Sequence, residues 1–233
     1  AGIKEWADAM YRDEAASKYF DGTAIHWYES TYEVFPKDLQ YAHNKAPNKY
    51  LIETEGCIDS EIPHWQDDAW YWKKEATDWG WDWASEQDKY LHPKYAAVNR
   101  YANDIIGCLN NYVDGWVDWN MVLDRQGGPN WFKNWCIAPV IVDPEKDEVY
   151  FTPLYYVMSH FSKFMRPGAV KIGCDINSKD VVATAVQNPD GSIAVAIFNP
   201  SETNYSIEIK QNNKTKIITI PAKALQTVLI KKQ

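Results

Sequence analysis

The chain has 233 residues, of which 45% are hydrophobic and 15% aromatic, and its formal net charge at pH 7 is −8. This length fits one large domain or two modest ones, with enough apolar residues for a real core. The negative charge argues against nucleic acid or an anionic membrane as a partner, because their phosphates would be repelled. Twelve tryptophans and fifteen tyrosines supply flat, rigid side chains that stack on sugar rings or fill a large core.

The four cysteines are far apart and contain no Cys-x-x-Cys pair (Cys57, Cys108, Cys136 and Cys174). A zinc or redox motif is therefore not expected, and we predict neither a metal nor a cofactor. No apolar run approaches the roughly 18–20 residues of a membrane span, so we expect no transmembrane segment. The chain opens without a charged and then apolar leader, so any secretion signal is expected to be removed or never present. The compartment stays open, with an extracellular or periplasmic location favoured.

Hydrophobic spacing predicts alternating helices and strands in the first part of the chain. A helix is expected over 4–20, a strand over 23–28 and a second helix within 29–48. A short buried strand follows and ends at Gly56. Glu55 therefore lies at the carboxyl end of a strand, where barrel and open α/β enzymes keep their chemistry.

The alternation continues beyond an acidic segment, 58–91, whose six tryptophans we expect mostly to pack onto the rest of the domain. The predicted elements are a helix over 93–111, a strand over 112–119, an apolar run over 137–142 and a helix over 153–164. This repeat is typical of a parallel α/β barrel or a doubly wound sheet. Three strand–helix units cannot close a barrel that needs eight, so either the sheet is open or the chain is part of a larger protein.

After Pro167-Gly168 the pattern changes to short alternating segments without helices between them. These segments cover 170–172, 181–186, 193–198, 205–209, 215–220 and 225–230, and Asp190-Gly191 is a typical tight hairpin turn. Evenly spaced short strands predict an antiparallel β-sandwich. We place the domain boundary near 166–168, with an α/β domain over 1–166 and a sandwich over 167–233.

Five motifs occur in a fixed order along the chain: His26-Trp27-Tyr28, Thr54-Glu55-Gly56-Cys57, Trp116-Val117-Asp118-Trp119-Asn120, Gly127-Gly128-Pro129-Asn130-Trp131 and His160-Phe161-Ser162-Lys163-Phe164. Together with the trailing sandwich, they resemble the carboxyl-terminal half of a glycoside hydrolase family 30 enzyme. Within that family the similarity is greatest to the glucosylceramidases (acid β-glucosidases). The resemblance runs in register from about residue 13 to the end of the chain.

The resemblance implies the C-terminal part of a (β/α)8 TIM barrel, about strands 6–8, followed by the β-sandwich. It also implies a retaining mechanism with Glu55 as nucleophile. The residues that it places around the sugar are His26, Tyr28, Asp118, Trp119 and Asn130. The family's general acid/base glutamate follows an asparagine on the fourth barrel strand, in the half of the barrel that this chain lacks. The resemblance therefore implies that the missing N-terminal half is a partner and that this chain alone is inactive.

Several alternatives remain open at this stage. Glu53 shares a strand face with Glu55, but an i−2 inward position lies one layer deeper in a barrel, so we expect a structural or supporting role for it. Without the resemblance, His26, Tyr28 and Trp119 would fit ordinary core residues. The expected substrate is a β-glucoside or glucan, such as glucosylceramide. An endo-β-1,6-glucanase, a β-xylosidase of the same family and a non-catalytic carbohydrate-binding fragment are the other readings.

Overall fold

The computed structural model describes residues 2–30, 32–57, 93–124, 128–129, 136, 138–211 and 214–232. The predictions on the tryptophan-rich segment and on Asn130 lie outside the described residues. The chain divides into two compact units, Ala1–Tyr156 and Val157–Gln233. In the part of the chain that is described, no helix is long and apolar enough to cross a membrane.

The first unit is built on a parallel sheet whose described strands follow chain order: β1 (Gly22–His26), β2 (Tyr50–Gly56) and β3 (Gly115–Asp118). The helices are α1 (Ile3–Arg12), a 3-10 helix (Ala16–Tyr19), α2 (Pro36–Lys45) and α3 (Pro93–Asn110). Because α2 lies between β1 and β2 in the chain, and α3 precedes β3, the adjacent strands can run parallel. This is the strand–helix repeat that the hydrophobic spacing predicts.

The predicted single helix over 4–20 is wrong, because Asp13 interrupts it. Asp13 follows the last residue of α1 with an extended backbone (φ −92°, ψ 99°). Its carboxylate accepts hydrogen bonds from the backbone N–H groups of Ala15 and Ala16, at 2.9 and 3.1 Å. Aspartate favours such local bonds over a helix interior, so α1 ends here and a short 3-10 helix begins.

The helices of the first unit cover the sheet through one apolar cluster. Its buried members are Ala7, Leu39, Ala42, Leu51, Cys108 and Val113. Leu51 is 2% exposed and comes from the middle strand, while Leu39 and Ala42 share one face of α2. Burial of these side chains fixes the helices on the sheet and thereby the positions of the strand ends.

A second small sheet follows β3 and combines both strand directions. Its described strands are β4 (Val122–Leu123), β5 (Val140–Asp143) and β6 (Glu148–Phe151), with β4 parallel and β6 antiparallel to β5. Of these three, the sequence indicated only β5, as the apolar run over 137–142, because β4 has two residues and β6 is mostly exposed. The helix α4 (Pro153–Ser162) begins at the predicted proline.

The second unit contains the predicted antiparallel sandwich. Its strands are β7 (Val170–Ile172), β8 (Val182–Gln187), β9 (Ile193–Asn199), β10 (Tyr205–Gln211), β11 (Lys214–Ile220) and β12 (Ala224–Ile230). Among the described residues, one sheet has the order β12-β9-β8-β7 and β10-β11 form a hairpin. Side chains from both, such as Val195, Ile197 and Ile220, share one core. The parallel sheet with its helices in the first unit, and the antiparallel strands of the second, agree with the predicted α/β and all-β parts of the chain.

Candidate active site

The carboxyl ends of the three parallel strands bring the polar motifs to one edge of the sheet. His26, the last residue of β1, pairs in register with Glu55 of β2, and Gly56 pairs with Asp118 of β3. The backbone N–H of Trp119 donates to the Gly56 carbonyl oxygen at 2.8 Å. Chain segments that are far apart in the sequence therefore meet around Glu55, at the end of the sheet where α/β enzymes carry their sites.

Two side chains, one at the end of β1 and one just beyond it, contact Glu55. The hydroxyl group of Tyr28 donates to Glu55 Oε1 at 2.5 Å, and His26 Nε2 lies 3.9 Å from Oε2. The Glu55 side chain is 20% exposed, so it still reaches solvent. Tyr28 lies in the turn beyond β1, whereas the sequence predicted it within the strand. A hydrogen bond to a carboxylate is short and strong, so it orients the group.

Asp118 ends β3, and Trp119 and Asn120 follow it directly in a bend. Asp118 Oδ2 accepts a hydrogen bond from the Tyr101 hydroxyl at 2.8 Å, and Oδ1 accepts one from the Asn120 N–H at 2.9 Å. Burial raises the pKa of Asp118 to about 6, against these two hydrogen bonds. The Trp119 side chain is 58% exposed, so its indole is available to a ligand while Asp118 holds the bend.

Three large aromatic side chains pack together behind the strand ends. Tyr101 of α3 contacts Trp116 edge-on, with ring centroids 4.8 Å apart, and both contact Trp27 at 5.4 and 5.9 Å. Gly56 is required beside this group, because a Cβ atom there would lie 2.2 Å from Trp116 Cζ2. Tyr101 is fully buried, and it joins this packing to Asp118. The strand ends thus rest on a rigid apolar support.

A second carboxyl group, Glu53, lies two residues before Glu55 on β2, but the shifted register turns it to the other face. Glu53 pairs with Ile25, which packs in the apolar cluster under the helices, whereas Glu55 pairs with the next residue, His26. The expectation that both glutamates share one strand face is therefore wrong.

Glu53 is 2% exposed, and its Oε1 accepts the backbone N–H of Glu55 at 3.2 Å. Burial raises the pKa of Glu53 from 4.5 to about 8. Repulsion from Asp104 and Glu55 also raises this pKa, whereas the hydrogen bond from the Glu55 N–H lowers it. Asp104 is also buried, which raises its pKa, and it accepts the Trp116 Nε1–H at 2.7 Å.

A cleft of about 890 Å³ opens beside β1. Its lining includes His26, Tyr28, Glu53 and Asp104, together with residues of α1 and of the segment before α2. Glu55 is not part of the lining, but it contacts His26 and Tyr28, which are. Among the described residues, no group of three or more His, Cys, Asp or Glu side chains could hold a metal ion.

The structure brings together most of the residues that the sequence predicts for the site. Glu55, His26, Tyr28, Asp118 and Trp119 lie at one edge of the sheet. The supporting roles of Tyr101 and Asp104 were missed. A signal for Asp104 was present, since an aspartate between the apolar pairs of a buried helix must find a partner.

The fifth motif has a structural place in the second unit. His160 Nδ1 lies 3.0 Å from Thr227 Oγ1, and that hydroxyl donates to the His160 carbonyl oxygen at the same distance. Burial lowers the pKa of His160. These contacts join the end of α4 to β12 of the sandwich.

Comparison with known proteins gives two family matches that cover nearly the whole chain. Residues 1–165 match the glycosyl hydrolase family 30 TIM-barrel domain, and residues 168–228 match the glycosyl hydrolase family 30 beta sandwich domain. The lysosomal acid glucosylceramidase of Mus musculus is 30% identical over 99% of this chain. An endo-1,6-beta-D-glucanase of Trichoderma harzianum is 31% identical over 52% of the chain.

Solved structures agree on the fold. SrfJ from Salmonella typhimurium aligns with all of this chain and 45% of its own, with a TM-score of 0.82 and 24% identity. The endo-beta1,6-glucanase BT3312 aligns with 98% of this chain, with a TM-score of 0.74. The chain spans 41% of the length of the mouse relative. On the two family matches, the chain belongs to glycosyl hydrolase family 30.

Proposed function

We propose that this chain carries the nucleophile, Glu55, of a retaining β-glycosidase. The observation that supports this role most directly is the hydrogen bond from the Tyr28 hydroxyl to Glu55 Oε1, beside His26, at the carboxyl end of a parallel strand. This hydrogen bond orients the Glu55 carboxylate through one oxygen, and the side chain remains partly exposed. Membership of a family of glycoside hydrolases supplies the class of reaction.

In the proposed reaction Glu55 Oε2 attacks the anomeric carbon of the sugar while the bond to the aglycone oxygen breaks. That oxygen takes a proton from a second carboxylic acid, and the sugar is left as an ester on Glu55. Water then attacks the same carbon, gives its proton to the second carboxylate, and the ester bond to Glu55 breaks. The two inversions retain the configuration, and the chemistry needs two carboxyl groups about 5–5.5 Å apart.

We place the second carboxyl group outside this chain, in the length of the relatives that it does not span. Glu53 is the neighbouring alternative, and the elevated pKa of its carboxyl group suits an acid. It is buried beside Asp104 and Cys108 of α3, however, and one of its oxygens is occupied by the Glu55 N–H. A proton donor has to reach the leaving-group oxygen, which a side chain buried under a helix cannot do.

The substrate we propose is a β-glucoside of the glucosylceramide type. The support is that the mouse lysosomal acid glucosylceramidase matches 99% of the chain. An endo-β-1,6-glucanase is the second candidate, because such an enzyme from Trichoderma harzianum matches 52% of the chain at similar identity. The exposed indole of Trp119 suits either substrate, since it offers a flat face to a sugar ring.

The experiment uses the full-length protein that contains this chain. A 2-deoxy-2-fluoro-β-glucoside with a dinitrophenyl leaving group should inactivate it and add one sugar to Glu55, as read by peptide mass spectrometry. The variant Glu55→Gln should be neither labelled nor active. A label on another residue, or normal activity in Glu55→Gln, would refute the assignment. Hydrolysis rates on glucosylceramide and on a β-1,6-glucan decide between the two substrates.

A further inference from the structure

We propose that Glu53 is a positioning residue for Glu55, because its buried carboxyl group fastens the peptide N–H of Glu55 where the strand pairing of β2 is interrupted on both sides. This inference rests on the proposed function, since it concerns the direction in which the Glu55 carboxylate points. Glu53 itself does not touch the sugar in this scheme. It acts through the backbone of the residue that does.

The interruption is visible in the strand register. On the β1 side, Ile25 pairs with Glu53 and His26 with Glu55, so the register shifts by one residue. On the β3 side, Glu53 pairs with Trp116 but the next pair is Gly56 with Asp118, so the register shifts there as well. A ladder that slips on both edges holds the backbone less firmly, and such irregularities re-aim side chains near active sites.

The Glu53 side chain fastens the backbone at this place. Its Oε1 accepts the Glu55 N–H at 3.2 Å, and the group is 2% exposed, so water does not compete with it. One residue further on, Trp119 N–H fixes the Gly56 carbonyl oxygen. The short backbone stretch that carries Glu55 is thus held at the Glu55 N–H by a side chain and at the Gly56 carbonyl oxygen by the residue that follows β3.

Burial and the neighbouring acidic groups favour the neutral form of Glu53. Among the described residues, the titratable groups that face it are Glu55 on its own strand and, from α3, Asp104 and Cys108. From β1, His26 lies at the level of Glu55, and β3 contributes the uncharged Trp116 at its side. Burial raises the pKa of Glu53 to about 8. Above that pH a second negative charge appears next to Glu55, with Asp104 close to it.

The test measures inactivation of the full-length protein by the dinitrophenyl 2-fluoroglucoside, whose leaving group departs without a proton donor, so the rate reports on Glu55. Glu53→Ala and Glu53→Asp both remove the hydrogen bond to the Glu55 N–H, and we expect them to slow inactivation about 10- to 100-fold at pH 6. Glu53→Gln keeps an oxygen in place and should restore most of the rate. A role that depended on charge alone would give the opposite order, with Glu53→Asp active and Glu53→Gln slow.

The pH profile provides a second readout. In the unaltered protein the rate should fall as the pH rises through about 8. Glu53→Gln should move this fall to higher pH, because no charge can form there. Asp104→Asn should move it to lower pH, because the charge that disfavours ionisation of Glu53 is gone.

The outcomes separate the two proposals. If the unaltered protein is not labelled at Glu55, the proposed function fails. If it is labelled there but Glu53→Ala and Glu53→Asp react at the normal rate, or the alkaline fall is the same in all variants, the positioning role is refuted while the function stands. Circular dichroism of each variant shows whether a slow rate reflects unfolding. If Glu53→Ala and Glu53→Asp are unfolded, the inactivation rate of Glu53→Gln and its pH profile decide whether the positioning role holds.

Discussion

Replacing Glu53 by glutamine should make the stability of the protein less dependent on pH. The folded protein holds the Glu53 proton up to about pH 8, whereas an unfolded glutamate releases it near 4.5. Between these values folding takes up a proton, so the free energy of unfolding of the unaltered protein falls as the pH rises from about 4.5 to about 8. Glutamine carries no proton to lose, and the variant avoids this fall.

The magnitude follows from the difference between the two pKa values. At 1.36 kcal/mol for each pKa unit, the change from 4.5 to about 8 corresponds to an upper limit of roughly 5 kcal/mol. The charge of Asp104 raises the pKa of Glu53, so the two carboxyl groups titrate together and we expect about 1–3 kcal/mol of this limit to be observed. From pH 5 to pH 9, the free energy of unfolding of Glu53→Gln should therefore rise by about 1–3 kcal/mol relative to that of the unaltered protein.

Urea unfolding of the full-length protein at pH 5, 7 and 9, followed by tryptophan fluorescence, measures this difference. Glu208→Gln is the matched control, because Glu208 is a half-exposed carboxylate paired with Lys210 on β10. It should change the unfolding free energy by less than about 0.5 kcal/mol at every pH. A difference between Glu53→Gln and the unaltered protein that stays constant from pH 5 to pH 9 would refute the argument that Glu53 is buried as a neutral acid.

Three further substitutions test the parts that surround the nucleophile. Tyr28→Phe removes a half-exposed hydrogen bond to the Glu55 carboxylate and should slow inactivation about 3- to 20-fold. The control Tyr19→Phe, at a 91% exposed position, should react at the rate of the unaltered protein. Equal inactivation rates for the two variants would contradict the orienting role of Tyr28. Gly56→Ala places a methyl group against Trp116 and should cost about 1–3 kcal/mol in a thermal unfolding assay, and an unchanged melting temperature would show that the ring can move away. Trp119→Ala should raise KM about 3- to 10-fold without loss of stability, and an unchanged KM would exclude the indole from sugar binding.

Most of the fold could be predicted because its signals are local. The alternating segments of the second unit give all six sandwich strands to within two residues at either end, since period-two patterns and turn residues such as Asp190-Gly191 act over short distances. The helix over 4–20 could not be predicted correctly, because it ends where one side chain, Asp13, bonds to nearby backbone. The strands β4 and β6 were missed because short, exposed strands carry little pattern.

The candidate site was predictable only in part, for a different reason. Position at the end of a strand marked Glu55, and the order of the motifs marked Tyr28 and Trp119. The contacts that support them are long-range: Tyr101 bonds to Asp118, and Asp104 bonds to Trp116, across a helix–strand interface. Sequence spacing does not show which face of a helix meets which strand, so these pairs emerge only once the elements are packed.

Opposite faces of a single strand explain how two glutamates two residues apart can take different roles. The i, i+2 spacing alone would give Glu53 and Glu55 the same direction, but the register shift pairs them with the consecutive residues Ile25 and His26, which point to opposite faces. Glu55 lies at the strand end, where Tyr28 holds it and solvent still reaches it, whereas Glu53 is enclosed by α3 with Asp104 close by. Water stabilises a charge at the strand end and is absent where the helix covers Glu53, so the buried carboxyl group keeps its proton. A neutral acid there can hold the backbone without repelling the Glu55 carboxylate.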